Sequence, residues 1–307
     1  MRKLLSALIL CVVFMFSVTP LTAYAISPID PLKDSSLTLH YEHNQSAYEG
    51  LTVRSYRIAE VFPNGTYELT GAFKKYPVSI YGITSQTEWK TIASTLEAYV
   101  SADKIEPTVS AVTDENGTVS FTKILPGMYL TTLIRVEREN DITIFESFLS
   151  VVPYPDDDGN HNYDVVAYPK CHSFTPTPEE KEHKVVKQWK DNGYTEKRPE
   201  YVTVDIYKDG VLSTTQKLSA QNNWSYHWTA PNDGSEWKAV EREIPADYTV
   251  TVVENGNTVI ITNVYNYDPG PPPETGDTSV MWPYVLSMCI SGGIITVLAT
   301  WLKRKES

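Results

Sequence analysis

The spacing of apolar and polar positions divides the 307-residue chain into segments of different character. Arg2-Lys3 precedes an apolar run from Leu4 to Val18, and Ala23-Tyr24-Ala25 follows. A basic start, an apolar run and a small-x-small site predict a cleaved export signal over residues 1–25. Cys11 lies mid-run behind the bulky Leu10, which argues against a lipid-modified N-terminus. At the other end an apolar run from Met281 to Leu302 closes on Lys303-Arg304-Lys305. Such a run crosses a bilayer as a helix, and the basic cluster stays on the cytoplasmic side. Residues 276–307 are therefore expected to form a transmembrane segment with a basic tail, after a Pro-rich tether over 268–275.

Between these ends the pattern is mostly that of strands. Leu37-Thr38-Leu39, Leu51 to Ile58, Val119-Ser120-Phe121, Met128-Tyr129-Leu130 and Ile142 to Val152 are β-rich. Pro63-Asn64-Gly65, Glu115-Asn116-Gly117 and Pro126-Gly127 supply turns. One stretch has a helical period instead: Trp89, Ile92, Ala93, Leu96, Tyr99 and Val100, led by Ser85 and Glu88 at capping-box spacing. It predicts one helix inserted in a β-domain over 26–172, with its apolar stripe on a sheet. Residues 173–182, rich in Pro, Thr and Glu, are expected to form an extended linker. Seven short strands follow over 183–267: Val185–Trp189, Val202–Tyr207, Leu212–Leu218, Trp224–Trp228, Trp237–Glu241, Tyr248–Val253 and Val259–Tyr265. Lys208-Asp209-Gly210 and Asn255-Gly256-Asn257 serve as hairpin turns. The expected fold class is all-β: two immunoglobulin-like β-sandwich domains in tandem, the first with an inserted helix, plus an N-terminal signal peptide and a C-terminal transmembrane helix.

Charge and cysteine content narrow the function. A formal net charge of −12 argues against nucleic acid and anionic lipid as partners. Of three cysteines, Cys11 falls in the export signal and Cys289 in the apolar C-terminal run, leaving Cys171 without a partner for a disulfide. A protein exported without a disulfide needs another staple. His40, His43, His161, His172, His183 and His227 show no ligand-like spacing, and no metal or cofactor is expected. Asp156-Asp157-Asp158-Gly159-Asn160 lacks the alternate spacing and closing Glu of a calcium loop and reads as a solvated turn. Trp224, Trp228 and Trp237 are expected in the sandwich core.

Strand parity exposes a set of polar residues on otherwise apolar faces. Lys187 shares a face with Val185 and Trp189, Glu241 with Trp237 and Ala239, and Asn263 with Ile261 and Tyr265. Burial drives a lysine toward its neutral amine and a carboxyl toward its protonated form. A neutral amine beside a carboxamide, with a protonated carboxyl to shuttle protons, is arranged for amide exchange. In that reading Lys187 attacks Asn263, Glu241 assists and ammonia leaves. The alternative is a buried Lys187–Glu241 ion pair with Asn263 only hydrogen bonded.

Several motifs carry resemblances. Val185-x-Lys187-x-Trp189, Arg198-Pro199 before a Val-Thr-Val strand, Tyr207-Lys208-Asp209-Gly210, Asn223-Trp224, Glu241 four before Pro245 and Ile261-Thr262-Asn263-Val264-Tyr265 resemble the collagen-adhesin B-type (Cna B-type) domain. The resemblance implies a spontaneous isopeptide bond between Lys187 and Asn263 with Glu241 as catalyst. Pro272-Pro273-Glu274-Thr275-Gly276, followed by the apolar run and basic tail, resembles the sortase signal Leu-Pro-x-Thr-Gly of Gram-positive wall proteins, with Pro272 at the leucine position. Val165-Val166-Ala167-Tyr168-Pro169-Lys170 resembles the pilin motif Trp-x-x-x-Val-x-Val-Tyr-Pro-Lys, with His161 at the tryptophan and Ala167 at the second valine.

These resemblances imply a sortase-anchored, pilin-like surface protein, exported and fixed to the cell wall or a pilus and in the membrane only before sorting. Its partners are then sortase, a peptidoglycan precursor and other pilin subunits joined through Lys170. It is a substrate of the sortase, not an enzyme with turnover. The first domain has His40 where a linking lysine is expected, so no internal bond is expected there. The alternative is a monomeric wall-anchored adhesin whose first domain binds a host or matrix protein. A surface enzyme has no supporting cluster of titratable groups.

Overall fold

The computed structural model describes residues 27–156 and 160–266. The expected export signal, the Pro-rich tether, the sortase-like pentapeptide, the apolar C-terminal run and the middle of the acidic turn lie outside the described residues. Among the described residues no helix is long and apolar enough to cross a membrane.

The N-terminal half contains β1 (Ser35–His40), β2 (Thr52–Val61), β3 (Tyr67–Leu69), α1 (Gln86–Asp103), β4 (Val109–Val112), β5 (Thr118–Ile124), β6 (Gly127–Thr131), β7 (Ile134–Arg138), β8 (Asp141–Phe145), β9 (Phe148–Val152), β10 (Asp164–Ala167) and β11 (Cys171–Phe174). Strands β10-β1-β5 form one sheet, β9-β6-β2-β3 with β4 also on β2 a second, and β11-β8-β7 a third. Leu37 and Leu39 of β1, Phe121 of β5 and Tyr129 of β6 meet in a core between the first two sheets. The other face of the second sheet is also covered, by α1. Burial on both faces explains why β6 is buried at every position instead of alternating.

The C-terminal half contains β12 (Thr177–Lys190), β13 (Tyr201–Lys208), β14 (Val211–Ser219), β15 (Ser225–Asn232), β16 (Trp237–Glu241), β17 (Tyr248–Asn255) and β18 (Thr258–Tyr265). They form a seven-stranded sandwich of two sheets, β15-β12-β18-β17 and β14-β13-β16. All seven expected strands are present. The β13–β14 hairpin turns on Asp209-Gly210, both at positive φ (50° and 74°), the geometry that an Asp-Gly pair supplies.

Helix α1 begins with the expected capping box: Ser85 accepts from the Glu88 N–H at 3.2 Å, and Glu88 accepts from the Ser85 N–H at 2.9 Å. Ile92, Ala93, Leu96, Tyr99 and Val100 are buried as the stripe predicts, but so are Ser94, Thr95, Glu97 and Ala98. The difference has a cause: the helix lies between the N-terminal sheet and the flank of the C-terminal sandwich, so it has two covered faces. The core that begins at Tyr56 and Ile58 continues through α1 to Val204, Ile206, Val250 and Ile261. Segment 173–182, expected as a linker, is extended but not free. Ser173 and Phe174 pair with β8, and β12 pairs with β15 from Thr177 onward.

Candidate functional site: a buried lysine, glutamate and asparagine

Alternation along β12 buries Val185 and Lys187 and leaves Trp189 half-buried. Strand β18 runs parallel beside it, with Lys187 opposite Ile261 and Trp189 opposite Asn263. Lys187 and Asn263 therefore project from adjacent strands of one sheet, offset by two residues. Glu241 ends β16 in the facing sheet, opposite Val204 of β13. Lys187, Glu241 and Asn263 are 3 %, 1 % and 0 % exposed, so all three side chains are shielded from bulk solvent.

Asn263 Nδ2 donates to Glu241 Oε1 at 2.8 Å. Lys187 Nζ lies 3.7 Å from Glu241 Oε2, an ion-pair distance too long for a hydrogen bond. The amine donates instead to the Gln188 carbonyl at 2.8 Å and sits 4.0 Å over the Trp189 ring. Glu241 Oε2 and Asn263 Oδ1 are buried without hydrogen-bond partners. Two orphaned acceptors beside an amine are costly in a packed core.

Burial lowers the Lys187 ammonium to about 8, although the nearby Glu241 pulls it back up. Burial raises the Glu241 carboxyl, and the lysine and the asparagine amide only partly oppose this. Desolvation thus moves both groups toward their uncharged forms. Arg198 also disfavours the Lys187 charge. It is clamped on Asp191, Nε to Oδ2 at 2.5 Å and Nη2 to Oδ1 at 2.9 Å. This bidentate pair was not apparent from spacing, because a turn brings together residues on either side of it.

A second buried lysine was also missed. Lys238, on the opposite face of β16 from Glu241, pairs with Glu97 of α1 at 2.8 Å and with Glu236. Alternation alone sends Lys238 outward, and only the docked helix turns that face into an interior.

Lys170 is exposed in the segment between β10 and β11. The register of β11 on β8 fixes it there, with the Lys170 carbonyl accepting from the Glu146 N–H at 2.8 Å. Its Nζ donates to Gln86 Oε1 at 3.3 Å. Tyr168 stacks on His40 with ring centroids 5.0 Å apart, and His161 Nε2 contacts the Ser27 carbonyl at 2.7 Å. His40 thus packs against the Tyr-Pro-Lys segment and also meets Thr118 Oγ1 at 2.9 Å. Cys171 Sγ lies 3.2 Å from His43 Nδ1. Trp228 and Trp237 pack at the edge of the shared core with His183 stacked on Trp228, and Trp224 meets Trp189 edge-on. Pro272, Pro273, Glu274, Thr275 and Gly276 lie outside the described residues.

Residues 183–264 match the family model of the Cna protein B-type domain. A collagen adhesin of Staphylococcus aureus is 34 % identical over 98 residues, which are 29 % of this chain and 8 % of that protein. Among solved structures, a single B repeat of the collagen-binding surface protein of S. aureus covers 76 % of this chain and 99 % of its own, at 17 % identity and a TM-score of 0.27. The T6 backbone pilin of Streptococcus pyogenes covers 76 % of this chain and 64 % of its own, at 14 % identity and a TM-score of 0.33. Lys187, Glu241 and Asn263 all lie within the residues that match the Cna protein B-type domain.

Proposed function

We propose that this chain is a pilin-like surface protein whose Cna B-type domain closes an amide between Lys187 and Asn263. One observation carries the reading: a lysine lowered to about 8 and a carboxyl raised by burial meet an asparagine amide in one buried pocket. The neutral Lys187 Nζ attacks Asn263 Cγ and a C–N bond forms. Glu241 takes a proton from Nζ and delivers one to Nδ2. The Cγ–Nδ2 bond breaks and ammonia leaves. The Asn263 carbonyl oxygen, without a partner before reaction, then accepts a hydrogen bond from protonated Glu241. Nothing turns over; the reaction occurs once per chain.

The sequence motifs extend the reading to assembly. A sortase cleaves between Thr275 and Gly276 and holds Thr275 as a thioacyl intermediate. An amine of a peptidoglycan precursor or of Lys170 on another copy resolves it. Exposure of Lys170 supports the second route, since an enzyme must reach that amine.

The test is intact mass. A chain of residues 26–275 is expected to weigh one ammonia less than its sequence, and Glu241→Ala, Lys187→Ala and Asn263→Ala to weigh what their sequences dictate. A full-mass wild type overturns the bond. The monomeric adhesin reading is favoured by one finding, the relative named a collagen adhesin. Gel electrophoresis of wall extracts separates the two: a high-mass ladder lost in Lys170→Ala supports polymerisation, and a single band supports the adhesin.

A further inference from the structure

Strands β12 and β16 of the reacting set, and β17 beside the strand of Asn263, are tied to the N-terminal half. Glu241 and Asn263 belong to different sheets, so their approach depends on the separation of the sheets as well as on register. Strand β16 is an edge of one sheet and β17 an edge of the other, and α1 lies across both edges. On β16, the Tyr99 hydroxyl points to the Glu241 carbonyl at 3.4 Å. The following residue, Arg242, is held by Asp103 Oδ1 of α1 at 2.7 Å and by Asp205 Oδ2 of β13 at 2.6 Å. On β17, Val250 is the register partner of Asn263. The Val250 N–H donates to the Pro77 carbonyl at 2.9 Å, and the Val252 N–H to Thr95 Oγ1 at 2.8 Å. An edge strand otherwise turns such groups to solvent. Strand β12, which carries Lys187, follows β11 after residues 175–176.

We propose that helix α1 of the N-terminal half is a positioning element for the Lys187–Asn263 reaction, holding the strand ends beside Glu241 and Asn263 so that the amide forms only after the two halves have docked. Thr95, Tyr99 and Asp103 are its positioning residues; none touches the reacting atoms. The inference rests on the reading given under Proposed function. Its physical basis is that a fixed approach distance between amine, carboxyl and carboxamide sets the rate, and a shift of about 1 Å costs up to about a hundredfold. Cross-linking then acts as a checkpoint, sealing the sandwich only in chains whose N-terminal half is folded.

The experiment is cell-free synthesis of residues 26–275, quenched at intervals and read by intact mass. Thr95→Val and Asp103→Asn are each expected to slow ammonia loss about tenfold or more. Thr95→Ser and Asp103→Glu, which restore the hydroxyl and the carboxylate, are expected to recover most of the rate. Tyr99→Phe, which removes one hydroxyl from an intact ring, is expected to slow it severalfold. The same substitutions in a Lys187→Met background, where no bond forms, report by thermal melting whether the fold persists. Wild-type rates in Thr95→Val and Asp103→Asn overturn the positioning role. So does slowing that the conservative partners fail to recover. A wild type that never loses ammonia overturns the preceding reading instead, together with this one.

Discussion

Lys187 and Lys238 are both buried in the C-terminal sandwich, and their surroundings push them in opposite directions. Around Lys238, Glu236, Glu97 and Glu254 outweigh the cost of burial and hold its ammonium well above the usual lysine value. Around Lys187 burial outweighs the single carboxyl and lowers it to about 8. Lys238 is thus held as a cation, whereas Lys187 is pushed toward the neutral amine that the proposed reaction needs, and the number of nearby carboxylates makes the difference. The cross-linking rate should therefore rise with pH up to about 8, because an ammonium cannot attack and Lys187 loses its proton over that range. Each unit of acidification below that point removes about nine-tenths of the neutral amine. Timed mass spectra of freshly synthesised chain at a series of pH values check the slope; a flat acid limb contradicts the neutral-amine step. Parity along three strands made Lys187, Glu241 and Asn263 legible in the sequence. Lys238 and the Asp191–Arg198 clamp were not, because their partners come from α1 and across a turn.

At the scale of the element, α1 shows how far a hydrophobic pattern reaches. Its start, its stripe and its cap were legible because they depend on residues within a few positions of one another. Its second covered face was not: Thr95, Glu97 and Asp103 read as polar surface until β16 and β17 come to meet them. The strands of the C-terminal sandwich were legible for the same local reason, whereas the pairing of segment 173–182 depends on β8 and β15. The polar face of α1 also predicts a pH dependence. Burial disfavours the Asp103 carboxylate, but hydrogen bonds from Lys75, Tyr76 and Arg242 outweigh it and lower the group from 3.8 to about 2. A depressed carboxyl stabilises the fold fully above its unfolded value and less as pH falls toward its folded one. The α1 contact with Arg242 should therefore weaken between about pH 4 and pH 2. Exchange protection of the Val250 and Val252 N–H groups, corrected for intrinsic rate, should fall over that window, and Asp103→Asn should flatten the change.

For the whole molecule, the parallel pairing of β12 with β18 gives the proposed amide its mechanical consequence. The C-terminal sandwich enters through β12 and leaves through β18, and the two strands lie side by side. A chain held at its C-terminal end and pulled from its N-terminal half carries its load into β12 and out of β18. Without a covalent link, the load shears hydrogen bonds between these strands and then extends residues 188–262. With Lys187 joined to Asn263, force passes from one strand to the other through a single amide, and the intervening loop bears none of it. Single-molecule extension of the wild-type chain should lack the release of that loop, about 250 Å at 3.3–3.6 Å per residue. The Glu241→Ala chain should show it in full. The same closure restricts the unfolded chain as a disulfide does, so blocking the bond should cost about 4 kcal/mol in equilibrium stability. Denaturant unfolding of Lys187→Ala against wild type measures that difference. A wild-type trace that lengthens by the full loop shows that the strands part under load with no covalent path between them.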